Sequence, residues 1–180
     1  MTDLWSPIID RYYADNRPLM DLLLTHSRLV AEKAAAIAKM HPELGADMEF
    51  VYQAGMLHDI GIFLTDAAPI HCFGPHPYIC HGYLGADLLR EAGLPAHALV
   101  AERHTGTGLT LQQIIGRGLP VPHREMVPVS IEEQLVCFAD KFFSKTRPEE
   151  EKTIQQAMRS LEKFGQEGIE KFRLWCETFL

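Results

Sequence analysis

The sequence lacks the features that mark membrane-spanning, secreted and disulfide-bonded proteins. No stretch approaches the roughly 18 consecutive apolar residues that a membrane span requires. The N-terminal residues carry neither a basic region nor an apolar core, so they do not resemble a secretory signal. The four cysteines form no Cys-x-x-Cys pair, and a chain without an export signal is not expected to build a disulfide framework. We therefore expect a soluble, cytoplasmic protein with no membrane partner.

The sequence also contains fewer basic than acidic residues. The chain has 17 Lys and Arg residues against 24 Asp and Glu residues, a net charge of -7, and no basic stripe runs along it. General affinity for nucleic acid depends on such a stripe because the bound cations release counterions from the phosphate backbone. We therefore predict no nucleic-acid partner, and a phosphorylated ligand would need locally placed cations.

The alternating pattern of a half-buried strand never extends beyond four residues, and residues 126–131 are the nearest candidate. Apolar positions at three- and four-residue spacing between residues 18 and 40 instead predict a long core-facing helix. Similar patterns, separated by proline and glycine, continue to the C-terminus. Capping boxes at residues 110–113 and 130–133, and an acidic turn from Pro148, predict three further helix starts. We predict a single all-α domain, a bundle of about six to eight helices.

Histidines and aspartates interrupt the apolar faces of these helices. His58 and Asp59 are adjacent in an apolar run, which is costly to bury unless a cation lies between them. The other inward-facing or helix-ending residues of this kind are His26, His81, His104 and Asp140. A lone buried histidine is more often a satisfied core residue, and a helical interaction module with core histidines is one alternative. It would require six ionisable groups to be buried by coincidence, so we favour a shared metal centre.

Imidazole and carboxylate ligands narrow the choice of metal. They suit Fe, Mn, Zn, Co or Ni, with Mg acceptable at a carboxylate-rich position, and the absence of thiolates argues against structural zinc. His81 and His104 could hold a second ion if Asp59 bridges the two. Two divalent ions can activate a water and stabilise charge on a phosphoryl group. The residues therefore predict a metal-dependent phosphohydrolase.

The order of these residues resembles that of a known family. His26, the His-Asp-Ile-Gly sequence at residues 58–61, and Asp140 resemble the HD-domain phosphohydrolases and the signature of their HDIG subgroup. His81 and His104 are similar to histidines of the binuclear branch, which includes symmetrical diadenosine-tetraphosphate hydrolases. The nearest likeness is to small stand-alone microbial HDIG proteins.

This resemblance implies a fold, a site and an activity. The chain would comprise an N-terminal helical segment (1–18), an HD domain (19–146) and a C-terminal helical segment (147–180) that packs on the same domain. The substrate would be a phosphomonoester or phosphoanhydride, expected to be a nucleotide, cleaved by a metal-activated hydroxide with His58 and Asp59 as catalytic residues. The implied ligands of the first metal are His26, His58, Asp59 and Asp140, and those of the second are Asp59, His81 and His104.

One position departs from the family pattern. Ile62 stands where many HDIG sequences carry a lysine, so another cation is needed to contact phosphate. An arginine fork or a lysine can fill that role, and the candidates are Lys141, Arg28, Arg103, Arg117 and Arg124. Ile62 also keeps open an alternative from another class, a non-catalytic, metal-containing nucleotide sensor.

The segment at residues 63–80 is rich in proline and glycine and long enough to be functional. We interpret it as a wall or lid of the substrate pocket, with His71 or His76 in reach of substrate. A separate zinc site on Cys72, His76 and Cys80 is the less favoured alternative, because that spacing matches no common zinc module.

Overall fold

The computed structural model describes residues 3–147 and 150–180, which excludes Pro148 and Glu149 of the predicted acidic turn. The helices formed by these residues are α1 (Ser6–Tyr13), α2 (Arg17–Met40), α3 (Met48–Leu57), α4 (His81–Glu91), α5 (Pro95–Arg103), α6 (Leu111–Gly116), α7 (Ile131–Asp140), α8 (Ile154–Leu161) and α9 (Gln166–Phe179). The all-α prediction is confirmed. The nine α-helices of the described residues exceed the predicted number because a short 3-10 helix and Gly165, at φ +100°, separate α8 from α9.

No helix within these residues combines the length and apolar character needed to cross a bilayer. The predicted boundaries at residues 18 and 146 stay predictions.

The only β-structure in the described part of the chain, apart from isolated bridges, lies between α3 and α4. Its strands are β1 (Thr65–Ala67), β2 (Cys72–Phe73) and β3 (His76–Pro77), in the order β2-β1-β3, with β1 antiparallel to β2 and parallel to β3. Strands of two or three residues are too short to show an alternating pattern, so the sequence did not predict them. The candidate strand at residues 126–131 forms only a single bridge, between Leu109 and Met126.

Two of the predicted helix starts are capping boxes, and the structure gives the hydrogen bonds of both. The box at residues 110–113 is complete, since each of its two side chains binds the backbone N–H of the other residue. At residues 130–133, Ser130 accepts from the Glu133 N–H, but the Glu133 carboxylate accepts from the Val129 N–H and not from Ser130. The predicted capping box at residues 130–133 is therefore wrong for one of its two hydrogen bonds, the one from the Ser130 N–H to the Glu133 carboxylate.

The described part of the predicted acidic turn, Glu150 and Glu151, does not open a helix. Glu150 and Glu151 precede α8, which begins at Ile154 and is capped by Thr153.

The core joins both ends of the chain to the central helices. α2 packs against α3 and α7, and α4 packs against α5. Around α7, the ring of Phe138 lies within about 6.4 Å of four other aromatic rings, those of Phe142, Phe172, Trp175 and Phe179. Three of those rings belong to α9, so the C-terminal segment shares the core with the helix that carries Asp140.

Close backbone contacts fix the turn that follows Asp59. Tyr13, fully buried at the end of α1, donates its hydroxyl hydrogen to the Ile60 carbonyl at 2.7 Å. On the other side, a Cβ added to Gly61 would lie 2.3 Å from the His81 carbonyl oxygen and 2.4 Å from the Gly85 nitrogen. Only glycine permits this approach, and it brings the first turn of α4 directly against the turn that carries Asp59.

Candidate metal centre

All six predicted metal ligands meet in the interior, most of them at helix ends. His58 directly follows α3, His81 begins α4, His104 directly follows α5 and Asp140 ends α7. Potential ligand atoms lie within 4.8 Å of one another in two groups, the first formed by His26, His58, Asp59 and Asp140 and the second by Asp59, His81 and His104. Asp59 belongs to both groups.

Helix geometry orients three of the four imidazoles. The last carbonyls of a helix have no partner within the helix, so they are free to accept hydrogen bonds from side chains. His58 Nδ1 donates to the Gly55 carbonyl at 2.6 Å, and His104 Nδ1 donates to the Ala101 carbonyl at 2.8 Å. His81 Nδ1 donates to a carbonyl three residues earlier, at 2.6 Å. With the proton held on Nδ1, a neutral ring in this orientation presents its Nε2 lone pair to the centre, as metal-ligating histidines do.

The second group shows directly why a cation fits. His81 Nε2 and His104 Nε2 are 3.0 Å apart, and both Nδ1 atoms already carry the ring proton. Two lone pairs at this distance repel each other because no hydrogen lies between them. Asp59 Oδ1 is 3.6 Å from the first nitrogen and 3.4 Å from the second, and it has no hydrogen-bond partner within residues 3–147 and 150–180. A shared cation would satisfy all three atoms.

The first group is equally compact. His26 Nε2 lies 3.1 Å from Asp140 Oδ1 and 3.2 Å from Asp59 Oδ2. His58 Nε2 is 3.2 Å from the same Asp59 oxygen, yet it makes no hydrogen bond to any residue that the structure describes. Buried polar atoms are normally satisfied. This donor set of imidazoles and carboxylates therefore fits a divalent ion.

Two lysines keep the carboxylates ionised. Burial alone would raise the pKa of Asp59, but Lys145, whose Nζ lies 2.6 Å from Asp59 Oδ2, together with His58 holds that pKa well below its usual range. Asp140 is affected in the same way: burial raises its pKa, but Lys141, at 2.5 Å from Asp140 Oδ2, together with His26 and His58 holds that pKa well below its usual range. Both carboxylates are thus anionic.

The histidines differ in charge. Burial and the nearby His104 lower the pKa of His81 to about 3, and burial also lowers the pKa of His104. Burial acts in the same direction on His58, but Asp59 and Asp140 outweigh it and raise the pKa of His58 to about 9. The second group therefore consists of two neutral imidazoles and one carboxylate, a set that can accept a metal without first losing a proton.

A cavity of about 480 Å³ opens beside the centre, and Asp140, His81 and His104 line it. Lys141 and Arg117, two of the predicted phosphate contacts, line it as well. Sequence reasoning missed Lys145, which lines it too, because a lysine outside any helix lies on no periodic face and carries no local signal.

The structure does not bring the other three predicted phosphate contacts to this cavity. Arg28 is exposed on α2. Arg103 Nη1 donates to both carboxylate oxygens of Glu133, at 2.9 and 3.1 Å. Arg124 forms an ion pair with the buried Glu102. In these two arginines the guanidinium is already paired with a carboxylate.

The segment at residues 63–80 contributes to the cavity wall through Tyr78 and Ile79. His71 and His76 are not among the lining residues. The alternative zinc site finds no support, because in the part of the chain that the structure describes no group of three potential ligands contains Cys72 or Cys80. The Cys80 thiol instead donates to a backbone carbonyl, that of Pro120, at 3.2 Å.

Comparison with known proteins agrees with this geometry. The HD domain family profile matches residues 23–144, and the chain belongs to the HD-domain family. It is 34% identical over 144 residues to an uncharacterized protein of Methanocaldococcus jannaschii, an alignment that covers 78% of this chain and 76% of that protein. The predicted resemblance is confirmed at the level of the HD domain, whereas the HDIG subgroup and the likeness to diadenosine-tetraphosphate hydrolases stay predictions.

Two further relatives are much longer than the region they share with this chain. One is tRNA (cytidine(56)-2'-O)-methyltransferase of Thermoplasma volcanium, 34% identical over 125 residues, covering 69% of this chain and 32% of that protein. The other is Ribonuclease Y of Aquifex aeolicus, 30% identical over 152 residues, covering 84% of this chain and 22% of that protein. No solved structure gives a significant match.

Proposed function

We propose that the protein is a metal-dependent phosphohydrolase with two divalent ions, acting on a phosphomonoester or phosphoanhydride of a small molecule, with a nucleotide as the expected substrate. The observation that carries this proposal is the pair of Nε2 lone pairs on His81 and His104, 3.0 Å apart beside the shared carboxylate of Asp59. A core packing role does not account for such an arrangement, since it leaves like partial charges facing each other.

The ligands of the two ions follow from the two groups of donor atoms. His26, His58, Asp59 and Asp140 would hold the first ion, and Asp59, His81 and His104 the second. Ions of the Fe, Mn, Zn, Co or Ni type, or Mg, would lower the pKa of a bound water and polarise the phosphoryl oxygens. Within the chain, Lys141 and Lys145 hold Asp140 and Asp59 in the anionic form that metal binding requires.

The comparisons support phosphoester chemistry without naming a substrate. Ribonuclease Y is, by its name, a nuclease, and it shares its aligned region with this chain. The net charge of -7 still favours a small molecule over a nucleic acid. A cavity of about 480 Å³ is within the size range of pockets for small ligands.

Elemental analysis combined with phosphate release tests the proposal. The purified protein should contain about two equivalents of divalent metal and release phosphate from at least one member of a panel of nucleotides and phosphomonoesters. His58→Ala and His81→Ala should each lose metal and phosphate release. His123→Ala, which removes an exposed histidine that does not line the cavity, is the matched control and should change neither. A protein without metal, or a His58→Ala variant with unchanged hydrolysis, would overturn the proposal.

A nucleotide sensor is the second candidate, and one observation favours it. Ile62 is fully buried in the apolar core, so this position supplies no cation to the cavity. A sensor would be stabilised against heat by a nucleotide, because a ligand that binds the native state raises its stability, but it would release no phosphate. The same nucleotide panel, measured once by thermal unfolding and once by phosphate release, separates the two functions.

A further inference from the structure

The cavity beside the metal centre is strongly cationic. Among residues 3–147 and 150–180, five lysine and arginine side chains line it, against the single carboxylate of Asp140, in a protein whose net charge is -7. The five are Arg117, Lys141, Lys145, Lys152 and Lys163. Such a local excess of positive charge attracts an anionic ligand.

Only two of the five cations are neutralised by the metal ligands. Lys141 pairs with Asp140, and Lys145 pairs with Asp59. Three form no ion pair with any carboxylate in residues 3–147 and 150–180, namely Arg117, Lys152 and Lys163. The cavity therefore holds positive charge beyond what the metal centre itself uses.

Two of these three unpaired cations, Arg117 and Lys152, contact backbone carbonyls. Arg117 Nη1 donates to the Lys163 carbonyl at 2.8 Å, and Lys152 Nζ lies 3.5 Å from the Lys141 carbonyl. The pKa of Lys152 is lowered by burial, although Asp140 acts in the opposite direction, and further lowered by Lys141, Lys145 and Lys163. Like charges that are close enough to repel each other in this way gain stability when an anion lies among them.

The segment that carries Lys163 packs against the turn that follows His104. Phe164, next to Lys163, packs on Gly106, where an added Cβ would lie 3.0 Å from the ring. Gly106 has φ +63° and follows the candidate ligand His104 by two residues.

Lys145, Lys152 and Lys163 all lie beyond residue 144, where the family match ends. The segment outside the matched region thus supplies three of the five cations.

We propose that Arg117, Lys152 and Lys163 form a second anion subsite, and that the substrate carries a second phosphate in addition to the phosphoryl group cleaved at the metal centre. This inference rests on the proposed function and narrows its substrate class to phosphoanhydrides and bisphosphates. A monophosphate would leave the three cations without a counterion. The apolar side chains of Leu119, Leu161 and Phe164 line the same cavity and can contact the organic part of the substrate.

A matched pair of non-hydrolysable probes tests the subsite by isothermal titration calorimetry. Methylenediphosphonate and methylphosphonate differ by one phosphonate group, so the ratio of their affinities reports the second anion. The wild-type protein should bind the diphosphonate at least about tenfold more tightly, the value of one charge-assisted contact. The double variant Arg117→Gln/Lys163→Gln should lose about tenfold or more of that affinity and change the affinity for methylphosphonate much less.

The control variant removes the same charge from elsewhere on the surface. Arg159→Gln/Arg173→Gln changes two exposed arginines of α8 and α9 that do not line the cavity, so it should preserve the ratio. Equal affinities for the two probes, or an equal loss in the test and control variants, would overturn the subsite.

Metal content and phosphate release, measured on the same preparations, separate this outcome from failure of the proposed function. A protein that binds metal and releases phosphate but shows no preference for the diphosphonate refutes the subsite alone. A protein that binds no metal refutes the hydrolase, and the probe ratio of the double variant still decides the subsite.

Discussion

Gly61 permits the closest backbone contact at the candidate metal centre, and we predict that Gly61→Ala weakens the second metal group selectively. The new Cβ would lie 2.3 Å from the His81 carbonyl oxygen and 2.4 Å from the Gly85 nitrogen, and both are backbone atoms that no side-chain rotation can move. Ordinary van der Waals contact begins at 3.4 Å, so the first turn of α4 must retreat by about 1 Å. His81 would move with it.

The expected magnitudes follow from that displacement. Overpacking of this kind costs about 1–3 kcal/mol, which corresponds to a fall in Tm of about 2–12 °C for a domain of this size. Disturbing the support of a metal ligand lowers affinity by about 10- to 100-fold. We expect this loss for the ion held by Asp59, His81 and His104. Binding at the group that contains His26 should be largely retained.

Metal titration by calorimetry, together with thermal unfolding, measures both effects. Gly116→Ala is the matched control, because an added Cβ there has no atom within 4 Å and the backbone conformation suits alanine. That variant should keep both metal affinities, with a Tm equal to or slightly above that of the wild type. If Gly61→Ala binds two ions with wild-type affinity, the contact between Gly61 and α4 does not position His81.

Three further predictions concern the metal and the core. Removing metal with a chelator should lower stability by about 2.7–4 kcal/mol relative to protein at 100–1,000 times its Kd for metal, and an unchanged Tm in differential scanning fluorimetry would contradict a bound ion. Tyr13→Phe leaves the buried Ile60 carbonyl without its donor, so urea unfolding should show a loss of about 1–3 kcal/mol, and a loss below that range would mean that water replaces the hydroxyl. Phe138→Ala empties the centre of the aromatic cluster around α7 and should cost about 3–5 kcal/mol in the same assay, whereas Leu174→Ala, at an exposed position, should cost little.

Much of the candidate site could be predicted because its residues violate a simple pattern. His26 and Asp140 lie on faces that are otherwise apolar, and a buried ionisable group needs a partner, so each was recognisable one at a time. That these side chains would meet at one place followed from their need for a shared cation. The residues that surround them carry no such signal. Lys145 and Lys152 lie outside the helices in polar sequence, where a lysine is ordinarily exposed.

The choice of partner among charged residues could not be predicted. Arg103 was a plausible phosphate contact by type and position, but it is paired with Glu133, which lies 30 residues away in the sequence. Arg103 lies in α5 and Glu133 in α7, so this ion pair depends on how the two helices pack in the tertiary structure. For the same reason the two-residue strands and the division of the C-terminal segment at Gly165 became visible only in the structure.

Because the two groups of ligands share the carboxylate of Asp59, uptake of the first of the two proposed ions would not be independent of uptake of the second. The first ion would fix the orientation of this carboxylate and so lower the entropic cost of ordering it for the second, while the two positive charges repel. The balance is a coupling free energy, and linkage requires it to be the same whichever ion enters first. A binding isotherm with two independent constants would therefore describe two ions at this centre poorly, and a substitution that weakens one group would change the affinity of the other only through this coupling.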